Sequence, residues 1–200
     1  MRTLTFLALV VVAAALTSPA NADYGKPPPA PSTPQGGSGE PQAQGAQMTP
    51  RQMAESSYRD AYDDVAKATA EAAAGKTESA RKKFKRAFDR STRAVEYDST
   101  HTEAWNLVGF SSRKLGDYKA AFAAYRTAIR QNPRFALARE YYGQGLLEQN
   151  DLAGAKSQLS WLRRIGDEAL TAQLAAAIEK YEAAHTAPAT MKPDSAAADH

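Results

Sequence analysis

Residues 104–133 read AWNLVGFSSRKLGDYKAAFAAYRTAIRQNP. Trp105, Val108, Gly109, Ala121, Tyr125, Ala128 and Pro133 punctuate the stretch, with Gly116-Asp117 as a turn near its middle. Apolar residues recurring every three to four positions describe amphipathic helices. Asn132-Pro133 ends the second helix, because proline disfavours helix at the residue before it. Two short helices joined by a tight turn cannot bury their apolar faces alone and have to stack on neighbours. The expected fold class is all-α.

The same register continues downstream. At one constant offset, Gly109, Asp117, Ala121, Tyr125 and Ala128 are answered by Gly143, Asp151, Ala155, Leu159 and Leu162. Small residues fall on small ones, large apolar on large apolar, and the turn Asp on Asp. With this period, roughly 34 residues, and the pattern W-x2-L-G-x2-Y…A-x3-F…P, the chain resembles a tetratricopeptide repeat (TPR) protein. The first unit, 102–135, carries Val108, Ser112 and Tyr125 in the Leu, Tyr and Phe places. In the second, 136–169, Arg139 replaces Trp and Asp167 replaces Pro. The resemblance implies a short helix-turn-helix repeat solenoid of two units. Its signature residues, Gly143, Ala155 and Leu159 included, would hold helices together, with Gly109, Gly143, Ala121 and Ala155 where the two helices of a hairpin cross.

Upstream, Thr49-Pro50-Arg51-Gln52 reads as a capping box with proline in the first turn. Tyr58, Tyr62, Val65, Thr69 and Ala72 then form one helical stripe that stops at Gly75. A second long helix, from about Thr77 to Asp98, presents Ala80, Phe84, Ala87, Phe88, Ser91, Ala94 and Val95 on one face. Moved back by one repeat, the Gly116-Asp117 turn lands on Lys82-Lys83, inside this helix. Residues 49–99 are therefore read as an elongated N-terminal hairpin covering one end of the repeats. A capping helix over 167–184, with Leu170, Leu174, Ile178 and Tyr181 on its apolar face, covers the other.

The flanks have a different character. Arg2, an apolar run from Leu4 to Leu16 and the ending Pro19-Ala20-Asn21-Ala22 describe a signal peptide over 1–22, cleaved after Ala22. The run is shorter than the roughly 20 residues that span a bilayer; a retained signal anchor is the alternative. Residues 23–48 form a Pro/Gly/Gln-rich segment with too little apolar area to offset its ordering entropy, expected to be a disordered linker. The stretch 185–200 is expected to be a disordered tail. The chain has no cysteine, which excludes disulfides, thiol nucleophiles and Cys-ligated metal. The expectation is a soluble exported protein, periplasmic or secreted, with no transmembrane span after cleavage and no cofactor or metal.

No catalytic constellation appears, so the expectation is no enzyme. Of the three histidines, His101 falls in an interhelical loop and His185 and His200 at the tail. Asp63-Asp64 reads as a pair of solvent-facing charges. Arg81, Lys82, Lys83, Lys85, Arg86, Arg90 and Arg93 crowd the second helix off its apolar stripe. They form either a strip for an anionic partner or a solvated face balanced by the acidic first helix. Nucleic acid is disfavoured by export and by a mature charge near +2, one less than the +3 of the whole chain. The resemblance implies a concave groove lined by the first helices of successive units, here Asn106, Phe110, Arg113, Glu140, Gln144 and Leu147. The function this supports is a protein–protein interaction adaptor or scaffold of the bacterial cell envelope. The alternative is an anionic-ligand or envelope-surface binding protein using the basic strip.

Overall fold

The computed structural model describes residues 47–185. Residues 1–46 and 186–200, where the expected signal peptide, most of the expected linker and the expected tail fall, lie outside the described residues. Within them the chain is all-helical, seven α-helices with no strand: α1 (Pro50–Ala73), α2 (Thr77–Tyr97), α3 (Thr102–Lys114), α4 (Tyr118–Gln131), α5 (Ala136–Glu148), α6 (Leu152–Ile165) and α7 (Glu168–His185). His185 thus ends a helix and does not begin a tail.

Local chemistry sets the boundaries. At α1 the capping box is complete, Thr49 Oγ1 accepting from the Gln52 N–H at 3.2 Å and Gln52 Oε1 accepting from the Thr49 N–H at 2.8 Å. Asp117 and Asp151 cap α4 and α6 through the amides of Ala120 and Gly154, at 3.0 and 2.8 Å. The helix before each of these turns ends on a left-handed residue, Gly116 at φ 86° and Asn150 at φ 61°. The bounds of α5 and α6 follow those of α3 and α4 by the same single offset at both ends, the offset that relates Gly109 to Gly143. Helix α2 ends one such period before α4 does, but starts about two turns earlier than that period would place it.

Each helix packs on the next. The pairs α1–α2, α3–α4 and α5–α6 form the closest partnerships, α2 rests on α3, α4 on α5, and α7 covers α5 and α6. Two apolar clusters result. The larger holds Tyr58, Val65, Phe84, Leu107, Phe110 and Tyr125; the smaller holds Leu146, Leu159, Leu162, Leu174 and Ile178. Phe122 and Tyr142 pack against both. Burying one such side chain contributes about 1.5–3 kcal/mol.

The stripe on α1 is corrected in detail. Tyr58, Val65 and Ala72 are buried as expected, but Ala61 and Ala68 take the remaining core positions, and Tyr62 and Thr69 are only half-buried. Small alanines let α2 approach closely along this face. Gly109 behaves as expected: a Cβ there would stand 2.6 Å from the Tyr125 ring of its own hairpin. Gly143 does not. A Cβ at Gly143 would stand 2.6 Å from Leu174 of α7, so this glycine admits the terminal helix and not its hairpin partner.

Candidate functional site

The expected groove residues come together, but not as an open surface. Asn106, Phe110 and Arg113 follow one another along α3, and Glu140, Gln144 and Leu147 along α5. All are buried except Gln144, which is half-buried. The expectation that they stand in an exposed groove is corrected, because α3 and α5 face each other closely enough for their rings to meet. Phe110 lies 5.0 Å from Tyr141 and 6.2 Å from Phe84, centroid to centroid.

Arg113 is the centre of this cluster. Its side chain is fully buried, yet its Nη1 donates to Gln144 Oε1 at 3.2 Å and Glu148 Oε1 at 2.8 Å, and its guanidinium lies over the Phe110 and Tyr141 rings. Burial opposes its charge; Tyr125, Glu148 and Glu140 outweigh burial and hold its pKa above the usual value. Gln144 also donates to Glu140 on its own helix. The arrangement leaves gaps: Nε and Nη2 of Arg113 and Oδ1 of Asn106 are buried without a hydrogen-bond partner. Sequence reasoning missed Glu148 and Tyr141. Glu148 stands four residues after Gln144, a helical spacing that places both on one face.

The basic strip is mostly consumed internally. Asp64, expected in solvent, is buried, and its two carboxylate oxygens accept from Arg86 Nη2 at 2.8 Å and Arg90 Nη1 at 2.7 Å. Lys83 Nζ lies 2.7 Å from Glu71, whose carboxyl its hydrogen bond lowers below the usual range. Lys85 pairs with Asp89 one turn along. Of the strip, Arg81, Lys82 and Arg93 are exposed and carry no ion pair among the described residues.

His101 lies in the loop between α2 and α3, as expected, but its side chain is only 13% exposed, and it serves as the N-cap of α3, its ring Nδ1 accepting from the Ala104 N–H at 3.3 Å. The ring packs on Tyr58 and lies 3.4 Å from Glu55 and 3.3 Å from Glu103. Burial opposes its protonation, and the two carboxylates outweigh burial and raise its pKa.

At the signature positions Trp105 is half-buried and its indole N–H donates to the Ser99 carbonyl at 2.8 Å. Its counterpart Arg139 reaches back to the Pro133 carbonyl at 2.9 Å and stacks on the exposed Trp161, 4.4 Å from the ring centroid. Among the described residues, no group of three or more His, Cys, Asp or Glu is placed to hold a metal ion, and no helix is long and apolar enough to cross a membrane. Compared with protein-family models and with curated proteins, the chain matches none.

Proposed function

We propose that this chain is a non-enzymatic adaptor of the bacterial cell envelope, a short array of TPR-like hairpins that holds a segment of a partner protein along α3 and α5. One observation carries the reading: Arg113 and Asn106 keep buried polar atoms without a partner on the stripe that also bears Phe110. Buried polar groups are nearly always satisfied, and an opening of the α3–α5 contact that admits a partner's backbone and carboxylate groups would satisfy these. Gln144 and Glu148, at the more exposed edge of the cluster, are where such a segment would enter. The constant spacing of four helices' bounds supports the array, since stacked repeats keep one geometry per unit. Export rests on the sequence of residues 1–22.

The test is a photo-crosslinking residue placed at Gln144 and, separately, at exposed Arg126 on α4, in cells expressing the full chain. Capture of the same envelope protein at Gln144, with none at Arg126, is the expected result. Equal capture at both positions, or none at Gln144, would reject the reading.

A second reading keeps the anionic-partner strip, narrowed to Arg81, Lys82 and Arg93. The observation that favours it is that these three cations, unlike their neighbours on α2, are not spent on carboxylates of the same chain. Binding of the chain to anionic vesicles that falls steeply with salt, and that Arg93→Glu weakens, is its test.

A further inference from the structure

Helices α4 and α6 carry only positive charge. Lys119, Arg126 and Arg130 lie on α4, Lys156, Arg163 and Arg164 on α6, and neither helix contains an aspartate or glutamate. Their C-terminal ends are tied together through the 132–135 loop and α5. Arg134 of the loop donates from Nη2 to the carbonyl of Ile165, the last residue of α6, at 3.2 Å. Arg139 of α5 donates from Nε and Nη2 to the Pro133 carbonyl at 3.1 and 2.9 Å, and from Nη1 to Gln158 of α6 at 3.2 Å.

Trp161 stands among these cations. It is 41% exposed, one of only three large apolar side chains so exposed among the described residues. Arg139 lies over its ring at 4.4 Å and Arg164 at 5.2 Å from the centroid.

The chain itself does not balance this charge. Arg139 keeps only 5% exposure, yet its hydrogen bonds all go to neutral oxygens and it has no ion pair among the described residues. Buried arginines are ordinarily paired; here burial lowers the pKa and no neighbouring carboxylate opposes it. Arg134, Arg163 and Arg164 are exposed and also lack an ion pair among the described residues, whereas Lys156 is bonded to Glu182 at 2.6 Å. The nearest carboxylates in sequence are occupied with α7. Asp167 accepts from the Leu170 amide at 3.0 Å, and Glu168 sits in the first turn, where the helix dipole favours it. The same dipole accounts for cations at the end of α6, but it gives no reason for an exposed indole beside them.

Charge alone would suit any polyanion, and the indole narrows the choice. Tryptophan, apolar in body with one polar N–H, is favoured at the headgroup level of a bilayer. Guanidinium forks match phosphate oxygens two at a time. Stacking on Arg139, itself held by three hydrogen bonds, sets the ring before any contact is made, so little side-chain freedom is lost on docking.

We propose that the corner formed by Arg134, Trp161, Arg163 and Arg164 docks on an anionic phospholipid surface, its guanidinium groups on headgroup phosphates and its indole at the boundary with the acyl chains. Arg139 is a positioning residue beneath the indole. The proposal is independent of the partner segment on α3 and α5 and of the α2 strip, since it shares no residue with either.

The experiment uses the chain from Asp23 onward, the form expected after cleavage, with vesicles of phosphatidylcholine alone or with phosphatidylglycerol added. Cosedimentation with the anionic vesicles only, falling steeply with salt, is expected. Arg163→Gln with Arg164→Gln, both on exposed positions, should weaken it by roughly tenfold or more, while Arg81→Gln with Lys82→Gln should change it by less than about twofold. In Trp105→Phe, which leaves Trp161 as the sole tryptophan, emission should shift to the blue and be quenched by brominated acyl chains. Equal binding to neutral vesicles, loss in the Arg81 and Lys82 variant instead, or Trp161 emission unmoved by bound vesicles would each overturn the assignment. Tighter binding to a soluble glutamate-rich peptide than to the vesicles would overturn it in favour of an acidic protein.

Discussion

Arg86 and Asp64 hold the first hairpin together, the guanidinium of one donating at 2.8 Å to a carboxylate that retains only 3% exposure. Arg90 takes the other oxygen at 2.7 Å, so a single buried anion on α1 is held by two cations of α2. The arginines themselves remain 56% and 40% exposed, which weakens the pair relative to one buried on both sides. Replacing Asp64 by Ala is therefore expected to cost about 1–3 kcal/mol, the value of buried charge-assisted hydrogen bonds. Urea denaturation of Asp64→Ala, alone and combined with Arg86→Ala and Arg90→Ala, measures it. Strict additivity of the three losses would contradict the pairing.

Gly109 and Tyr125 make a second coupled pair, because there is no room for a methyl group between α3 and the tyrosine ring. Gly109→Ala gains helix propensity but forces Tyr125, fully buried, off its rotamer. Overpacking of this kind costs about 1–3 kcal/mol. Shortening the partner should relieve it: Tyr125→Leu, which copies Leu159 of the following hairpin, is expected to make Gly109→Ala tolerated. Thermal unfolding of the two single variants and the double variant decides this.

What the sequence revealed and what it hid divide along range. The helices from α3 to α6 were legible to within a residue or two, because caps, turn residues and apolar spacing are all local and all agree. Asp64 was not legible. Its partners lie 22 and 26 residues away on another helix, and nothing in the Asp63-Asp64 dipeptide says which of the two faces inward. The surroundings of His101 were hidden for the same reason, since Glu55 stands 46 residues before it. The six groove residues were correctly grouped on two neighbouring helix faces. Their burial was not foreseeable, because periodicity gives the direction of a side chain and not how close the facing helix comes.

The paired turns test the repeat at the level of the backbone. Gly116 and Asn150 end equivalent helices with left-handed dihedrals, φ 86° and 61°. Asparagine tolerates this region better than other side chains, and glycine adopts it without penalty. Asn150 also accepts a hydrogen bond from the Tyr181 hydroxyl at 3.2 Å, which ties the turn to α7. Asn150→Gly should leave stability nearly unchanged, easier dihedrals offsetting the lost contact. Asn150→Ala loses both and is expected to cost about 1–2 kcal/mol. Chemical denaturation that ranks alanine equal to glycine would show that the turn is not the constraint.

His101 couples the same fold to pH. Its ring must choose between two roles. Neutral, with its proton on Nε2, it accepts from the Ala104 amide and donates toward Glu55. Protonated, it gives up the acceptor that caps α3 and faces carboxylates on two sides, Glu55 of α1 and Glu103 of α3. Asp98, in the loop before α3, adds a third negative charge nearby, and the Tyr58 ring covers the imidazole face. The balance favours the charged form, since the pKa is raised above its ordinary value of 6.5. A folded-state pKa above the unfolded one adds stability that is complete below about pH 6.5 and disappears as pH rises through the raised value. The chain should therefore unfold at a higher urea concentration near pH 6 than near pH 8. His101→Asn keeps an N-cap side chain while removing the titration, so the difference between the two pH values should shrink or vanish. His185→Asn, at the end of α7, is the control and should leave it intact. A pH dependence unchanged in His101→Asn, or one of opposite sign in the parent chain, would refute the coupling.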